Sequence, residues 1–343
     1  MKASLLVADV GGTKCELALF ADCGVDYEPQ DRRLYASRDY TCLEEVISAF
    51  LADTGVAPVF AALGVAGVVK DDQARITNLP WLIRAESLKA RFGFRELVLV
   101  NDLTAICAAI PLLREEDLVV LQAGGRQAGQ PIGVIAPGTG LGEGLLLQSE
   151  TVFWPQGSEG GHTDFAPVSD EQIELLRYMG RTAGPVSYEM LIAGPAIPSL
   201  YAFYRDKGLI AEQPEIQRQL ARAIDPTPII VAAALADQPC PLCRQAMELF
   251  LAILGSEAGN LALKVYARGG LYIGGGIVPR LHGKMSFAGF LENFNRKAKM
   301  AELMASIPVQ LIVKKDVALL GAARCGREGI RAGRLQPEPG QSG

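Results

Sequence analysis

The chain has 343 residues, which is enough for about two domains of roughly 150 residues each. Hydrophobic residues make up 49% of the sequence and charged residues 21%, and this mixture excludes an intrinsically disordered protein because so much apolar surface can be buried. The net charge of −5 argues against a protein that grips a nucleic-acid backbone, so we predict no nucleic-acid partner.

The first half of the chain is predicted to alternate strands with helices. Two apolar runs over 5–10 and 15–20 are joined by Gly11-Gly12-Thr13, and this pattern predicts a hairpin. The next predicted elements are a strand over 33–37, a helix over 43–51, buried strands within 59–69 and over 97–100, and a helix over 104–113. This alternation predicts an α/β fold with a largely buried sheet.

The second half opens with a pattern similar to that of the first. When Gly11 is aligned with Gly138, Glu16 falls on Glu143, and both copies read as apolar strand, glycine turn, apolar strand. Only the first copy carries an aspartate, Asp9, at the end of its strand. The remaining predicted elements are a helix over 240–266, strands over 271–273 and 309–313, and a closing helix over 317–326. We therefore predict two halves built on one plan.

Apolar runs and cysteines indicate where the protein resides. The longest uncharged apolar run, over 59–69, is shorter than the about 20 residues of a membrane helix, and the first residues do not resemble a signal peptide. Seven scattered cysteines are typical of reduced thiols. Cys240 and Cys243 have the spacing of zinc ligands, but no second pair accompanies them. We predict a cytoplasmic protein with no membrane partner.

Three glycine-rich turns follow predicted strands, over 11–13, 138–142 and 274–276. Backbone N–H groups in such turns can point at phosphate oxygens. One such turn is usually only a turn, but three in one chain favour a nucleotide site. None matches the dinucleotide fingerprint, and the single Gly-Lys pair, Gly283-Lys284, lacks the spacing of a P-loop.

Two polar segments could bind a ligand. Asn101-Asp102 ends a predicted strand, where a carboxylate can accept a proton from a substrate hydroxyl, and the alternative is that Asp102 only caps the next helix. The run from Glu159 to Asp164 mixes donors and acceptors as a polyhydroxyl ligand requires, and the alternative is a polar surface loop. Glu189 alone reads as an exposed helix glutamate.

Taken together, these segments resemble the bacterial glucokinase family within the actin-like sugar kinase superfamily. The resemblance runs from about residue 4 to about 328, and its motifs occur in the family's order. The segments that carry it are Asp9-Val-Gly-Gly-Thr13, Asn101-Asp102, Gly138-Thr-Gly-Leu-Gly142, Glu159-Gly-Gly-His-Thr-Asp-Phe-Ala-Pro167, the glycines and leucines of 254–263, and Tyr272-Ile-Gly-Gly-Gly-Ile-Val-Pro279.

The resemblance implies a fold of two actin-like (ribonuclease H-like) α/β domains that flank a deep cleft. It implies a small domain formed by 1–112 with about 314–333, a large domain over 113–313, and a disordered tail over 334–343. It further implies a cytoplasmic homodimer that acts in glycolysis.

The resemblance also implies ATP-dependent phosphorylation of the glucose 6-hydroxyl with Mg²⁺. Asp102 is then the catalytic base. The residues implied to bind the sugar are Asn101, Asp102, Glu159, His162 and Glu189. The residues implied to bind the nucleotide are Asp9, Gly11, Gly12, Thr13, Gly138, Thr139, Gly140, Gly274, Gly275 and Gly276, with Asp9 reaching Mg²⁺ through phosphates or water. On this basis we expect Gly140→Val to raise the KM for ATP far more than the KM for glucose.

One residue departs from the family's pattern. Lys14 stands where the family usually has Asn, and it is more typical of a related sugar-kinase group that includes repressors. That group carries a cysteine-rich zinc motif, which Cys240-Pro-Leu-Cys243 does not supply. Two alternatives stay open, namely a kinase of fructose or an N-acetylated hexose, and a non-catalytic sugar-sensing regulator. The presence of Asp102 gives no support to a loss of catalysis.

Overall fold

A computed structural model describes residues 4–21, 27–76, 79–150 and 152–334. The predicted disordered tail over 334–343 lies outside these residues, except for Arg334, which ends a helix. The strands are β1 Ser4–Val10, β2 Lys14–Ala21, β3 Asp31–Ala36, β4 Phe60–Val65, β5 Val69–Lys70, β6 Gln73–Arg75, β7 Leu82–Arg84, β8 Glu96–Asn101, β9 Leu118–Gln122, β10 Ile132–Pro137, β11 Leu141–Gln148, β12 Phe153–Ser158, β13 Leu271–Ile273 and β14 Val309–Ile312. The helices are α1 Leu43–Thr54, α2 Ala85–Phe92, α3 Asp102–Ala109, α4 Asp170–Ala183, α5 Glu189–Ile192, α6 Ile197–Lys207, α7 Pro214–Leu220, α8 Thr227–Ala234, α9 Pro241–Lys264, α10 Val278–Leu281, α11 Ala288–Asn295, α12 Ala301–Ser306 and α13 Val317–Arg334.

The described chain divides into two units, each with its own sheet and core. The first unit falls within Met1–Arg114, Trp154–Gly157 and Lys314–Gly343. The second falls within Glu115–Phe153 and Ser158–Val313.

The first unit is built on a five-stranded sheet of order β3-β2-β1-β4-β8. Strands β1, β4 and β8 are parallel, so their carboxyl ends lie at the same edge, with Val10 opposite Val65 and Val65 opposite Asn101. Helix α13 packs against α3, and a Cβ on Gly321 would overlap the backbone oxygen of Ala105. The absence of a side chain at Gly321 therefore permits this close helix contact.

The second unit contains the strands β11, β10, β13, β14 and β9, which pair in that order. Strands β10 and β13 are parallel, and Ile135 lies opposite Ile273. The core of the unit is formed around α9, which contributes fully buried residues such as Phe250 and Leu254. The glycine turns over 138–140 and 274–276 follow β10 and β13, so both lie at the carboxyl edge of this sheet.

The two glycine-turn hairpins share their element order but not their register. In the first hairpin Asp9 of β1 pairs with Glu16 of β2. In the second, Glu143 of β11 pairs with Ile135 of β10, because three residues separate the last pair of this hairpin, Pro137 and Leu141, whereas four separate Val10 and Cys15 in the first. The predicted repeat is therefore present at the level of elements, while Glu16 and Glu143 occupy different positions relative to the preceding strand.

One helix is long and apolar enough to cross a membrane by length and composition alone. Helix α9 has 24 residues. Its most apolar stretch has a mean hydropathy of 1.3, and 78% of that stretch is buried inside the protein. The sequence has no long uncharged run at this helix, because charged residues such as Arg244 and Glu248 interrupt it. A buried core helix passes the same test, so α9 is weak evidence for a membrane span.

Candidate functional site

Asn101 and Asp102 lie where β8 ends and α3 begins. The side-chain oxygen of Asn101 accepts hydrogen bonds from the backbone N–H groups of Leu103 and Thr104, at 3.0 and 3.3 Å. Asn101 is therefore the cap of α3, a role that the sequence analysis weighed for Asp102. Its amide nitrogen donates to the backbone oxygen of Gly67 at 3.1 Å, and the same nitrogen carries a second N–H group.

Asp102 occupies the first turn of α3. Its Oδ1 accepts a hydrogen bond of 2.8 Å from the backbone N–H of Leu103. The positive end of the helix dipole stabilises a negative charge at this position. An ionised carboxylate held in one orientation is the form that a general base requires.

Asp9, near the end of β1, is a second carboxyl group at this edge of the first sheet. Burial first, and then the negative charges of Asp102 and Glu16, raise the pKa of Asp9 to about 7 against the opposing charge of Lys14. A carboxyl group whose ionisation is opposed by burial and by a neighbouring carboxylate is one that a bound cation would stabilise in its ionised form. Lys14, the residue that departs from the family's pattern, therefore acts electrostatically on this same edge.

The first glycine turn is held by Ser37, which the sequence analysis did not identify. Ser37 is buried, and its hydroxyl donates to the backbone oxygen of Gly11 at 2.8 Å. The backbone N–H of Ser37 donates to the backbone oxygen of Thr13 at 3.0 Å. Within the turn, the backbone N–H of Gly11 donates to the backbone oxygen of Lys14 at 3.0 Å. No motif marks Ser37 in the sequence, since the contact joins segments more than twenty residues apart.

In the second unit, three predicted sugar-binding side chains lie together. His162 places Nε2 at 3.7 Å from Glu159 Oε2 and Nδ1 at 3.8 Å from Glu189 Oε1. Glu159 and His162 are mostly exposed, with 70% and 60% of their side-chain surfaces accessible. Two carboxylates and an imidazole in this arrangement offer several acceptors and at least one donor to a ligand with many hydroxyl groups.

Glu189 also contacts the second glycine turn. Its Oε2 accepts a hydrogen bond of 2.8 Å from the backbone N–H of Leu141, and a Cβ on Gly140 would lie 2.6 Å from that oxygen. The family resemblance implies that Glu189 binds the sugar and Gly140 the nucleotide. The structure places these two residues against each other.

The second and third glycine turns lie against each other. Gly274 N–H donates to the backbone oxygen of Ile135 at 2.8 Å. Gly275 has φ of +83°, and a Cβ there would overlap the backbone oxygen of Pro137, so only glycine fits. A Cβ on Gly138 or on Gly276 would meet no other atom within 4 Å.

The space around Gly138 and Gly140 leads to a paired prediction. We expect Gly140→Ala to raise the KM for glucose, because the new methyl group displaces the Glu189 carboxylate. Gly138→Ala, whose methyl group meets open space, should leave the KM for glucose unchanged and raise the KM for ATP. Steady-state kinetics on both variants measures these values. This revises the expectation for Gly140→Val, since a side chain at Gly140 disturbs a predicted sugar ligand first.

A change confined to ATP in Gly140→Ala would show that Glu189 does not act on the sugar. An unchanged KM for ATP in Gly138→Ala would remove Gly138 from the nucleotide site. The two variants serve as controls for each other because they alter the same turn.

This chain is similar to known proteins in sequence and in fold. A family model described as Glucokinase matches residues 6–329. The glucokinase of Nostoc punctiforme is 37% identical over 338 residues, which covers 94% of this chain and 98% of that protein. A crystal structure of glucokinase from an Antarctic psychrotroph matches with a TM-score of 0.80 at 32% identity, covering 96% of this chain and 100% of that one. A crystal structure of a ROK family glucokinase from Streptomyces griseus, in complex with glucose and AMPPNP, matches with a TM-score of 0.65 at 19% identity. The match covers 95% of this chain and 100% of that one, and at this identity it shows a similar fold alone.

Proposed function

The chain belongs to the glucokinase family, and we propose that it transfers the γ-phosphoryl group of ATP to the 6-hydroxyl of glucose, giving glucose 6-phosphate and ADP. The predicted family and the predicted actin-like two-domain fold are both confirmed. Within the structure, the observation that carries the proposal is the position of His162 beside two carboxylates, Glu159 and Glu189.

Glucose carries no charge, so its recognition depends on hydrogen bonds to its hydroxyl groups. We propose that Asn101, Asp102, Glu159, His162 and Glu189 bind these hydroxyls. Each carboxylate can accept from two hydroxyls, while the second N–H of the Asn101 amide can donate. A site of this kind rejects a sugar that lacks one of the hydroxyls, because a buried polar group then stays unpaired.

Asp102 is the proposed general base. Its carboxylate takes the proton of the 6-hydroxyl as that oxygen attacks the γ-phosphorus and the bond to the ADP oxygen breaks. The hydrogen bond from Leu103 N–H and the position of Asp102 in the first turn of α3 support this role. They hold the carboxylate in one orientation and favour its ionised form.

The three glycine turns are the proposed nucleotide ligands. We assign Gly11, Gly12 and Thr13, and Gly138, Thr139 and Gly140, to the phosphates, and Gly274, Gly275 and Gly276 to the border of the adenosine. The hydrogen bonds from Ser37 to the first turn and the contact between the other two turns support this assignment. Rigid turns of this kind present N–H groups to phosphate oxygens with little loss of entropy on binding.

Mg²⁺ is the proposed metal, held by Asp9 through phosphates or water. The residues fit it, since Mg²⁺ is usually bound through one or two carboxylates together with phosphates and waters. Among the described residues, no cluster of three or more His, Cys, Asp or Glu side chains could hold a metal unaided. When bound, the ion would neutralise charge on the phosphates.

Asp9→Asn tests the assignment of the metal. We expect it to raise the Mg²⁺ concentration needed for half-maximal activity by about 10- to 100-fold, the usual effect of losing a group that acts on a metal through water. Titrating Mg²⁺ at saturating ATP and glucose measures it. Asp53→Asn, which changes an exposed aspartate of the same unit, should leave the requirement unchanged. Equal requirements in both variants would remove Asp9 from the metal site.

The cellular setting is also part of the proposal. We propose a cytoplasmic homodimer that acts in glycolysis on glucose and MgATP, with neither nucleic acid nor membrane as a partner. The resemblance to the family supports the dimer, and the net charge of −5 supports the absence of a nucleic-acid partner. Sedimentation of the purified protein would test the dimer.

A panel of sugars tests the proposed substrate. The purified protein should show its highest kcat/KM with glucose among glucose, fructose and N-acetylated hexoses, at a fixed MgATP concentration. A higher value with fructose or an N-acetylated hexose would assign the protein to another sugar on the same fold. No turnover with any sugar would favour the sugar-sensing regulator.

A further inference from the structure

Two glutamates are buried side by side in the second unit. Glu143 on β11 is 1% exposed and Glu257 on α9 is 0% exposed. The two side chains are near enough for Glu257 to raise the pKa of Glu143, through its charge and as a hydrogen-bond partner. Glu143 Oε1 is buried and meets no N–H or hydroxyl donor among the residues that the structure describes. Since ionised carboxylates only accept hydrogen bonds, a contact between two carboxyl groups requires a proton on one of them.

The Glu143 side chain lies directly beneath the loop that carries Glu159 and His162. A Cβ on Gly160 would overlap Glu143 Oε2, so the loop backbone rests on this carboxyl group. Ser158 fastens the loop at the same place. Its hydroxyl donates to the backbone oxygen of Glu143 at 3.1 Å and accepts from Gly160 N–H at 3.2 Å.

The network continues from Glu257 to the segment that carries Glu189. Glu257 Oε2 accepts from the side-chain amide of Asn260 at 2.8 Å. The same amide nitrogen lies 3.0 Å from the hydroxyl of Tyr188, and Tyr188 immediately precedes Glu189. One network therefore supports both segments of the second unit to which sugar ligands are assigned.

The cations around the pair do not neutralise both carboxyl groups. Lys264 reaches Glu257 Oε1 at 3.4 Å but is 57% exposed. Lys297 donates to Asn260 at 2.6 Å and to the backbone of Ser256 at 2.8 Å rather than to a carboxyl group. In the other hairpin, by contrast, Arg32 pairs with the buried Glu16. Glu143 has no such partner among the described residues, and burial together with the Glu257 carboxylate raises the pKa of Glu143 to about 8.

We propose that Glu143 is a positioning residue for glucose binding: its protonated carboxyl group donates to Glu257 and supports Gly160, so that Glu159 and His162 are held in the geometry that binds the sugar. This inference rests on the proposed function and adds a residue that does not itself contact the sugar. Loss of the proton would place two buried carboxylates in contact, and their repulsion would displace the loop. The charged and titratable groups that face the pair or the loop are Glu257, Lys264, Lys297, Tyr188, Glu159, His162 and Glu189.

Two substitutions of Glu143 separate this role from simple packing. Glu143→Gln keeps the shape and a donor without a titratable proton, whereas Glu143→Ala removes the support. We expect Glu143→Ala to raise the KM for glucose by about tenfold with little change in the KM for ATP, which is the loss of about one buried hydrogen bond. Glu143→Gln should restore the KM for glucose near neutral pH. Glu292→Gln, an exposed glutamate on α11, is the control.

The dependence on pH gives the sharper readout. In the parent protein the KM for glucose should rise as pH increases through about 8, and in Glu143→Gln this rise should be absent. An identical rise in both proteins would overturn the proposal, as would a Glu143→Ala variant with the parent's KM. If Glu143→Ala does not fold, the comparison of the parent with Glu143→Gln still decides.

A measurement without glucose keeps the inference separate from the proposed function. A raised pKa in the folded protein means that stability falls as pH rises from the ordinary glutamate value towards 8. The melting temperature of Glu143→Gln relative to the parent should therefore increase between about pH 5 and pH 9. A constant difference would overturn the shared proton, even if the sugar assignment holds. If this difference in melting temperature increases as expected but the protein does not phosphorylate glucose, only the proposed function is contradicted.

Discussion

Replacing Asp102 by Asn should lower kcat by about two to four orders of magnitude, the usual contribution of a general base. The amide can still accept the hydrogen bond from Leu103 N–H, so the start of α3 should be preserved. It cannot take up the proton of the 6-hydroxyl. Steady-state kinetics with MgATP and glucose, together with glucose binding by calorimetry, measures the change.

The control for this variant is Asp53→Asn, which makes the same chemical change at an exposed position of the first unit. It should have the kcat of the parent. Near-parental turnover in Asp102→Asn would leave Asp102 as a structural residue at the start of α3. A loss of glucose binding as large as the loss of kcat would assign Asp102 to sugar recognition only.

Replacing Glu159 by Ala should raise the KM for glucose by roughly 5- to 150-fold, which corresponds to about 1–3 kcal/mol. The variant loses a carboxylate that can accept from two hydroxyls, and it also frees His162 from one of its two carboxylate neighbours. The KM for ATP should change little, because the proposed nucleotide ligands lie on the glycine turns. Initial rates at varied glucose and at varied ATP measure both constants.

Glu292→Ala provides the matched control, since Glu292 is an exposed glutamate in the same unit. It should leave both constants unchanged. A Glu159→Ala variant that binds glucose as tightly as the parent would make the segment from Glu159 to His162 a structural loop. The sugar site would then have to be sought elsewhere.

The secondary structure was readable from the sequence where the signals are local. A glycine turn between two apolar runs predicted both hairpins, and the structure shows them as β1–β2 and β10–β11. The register of the second hairpin was not predictable, because a loop one residue shorter changes the partner of Glu143 while the apolar pattern stays the same. The family, the fold class and the glucokinase function predicted by resemblance are confirmed.

The site was only partly predictable for a physical reason. Residues near one another in sequence, such as Glu159 and His162, could be grouped as a polar segment. The contacts of Ser37 with Gly11, and of Glu143 with Glu257, join segments that are distant in the chain and carry no motif. Only the folded chain shows that Asn101 rather than Asp102 caps α3, and that Glu189 touches Gly140.

The most direct test of the proposed activity is to identify the products of one reaction. The purified protein is incubated with MgATP and glucose, and the products are followed by ³¹P NMR. We expect ADP and glucose 6-phosphate to form in equal amounts, with both signals absent when glucose is omitted. Phosphate attached at another position of the sugar, or ADP formed with inorganic phosphate alone, would contradict transfer to the 6-hydroxyl of glucose.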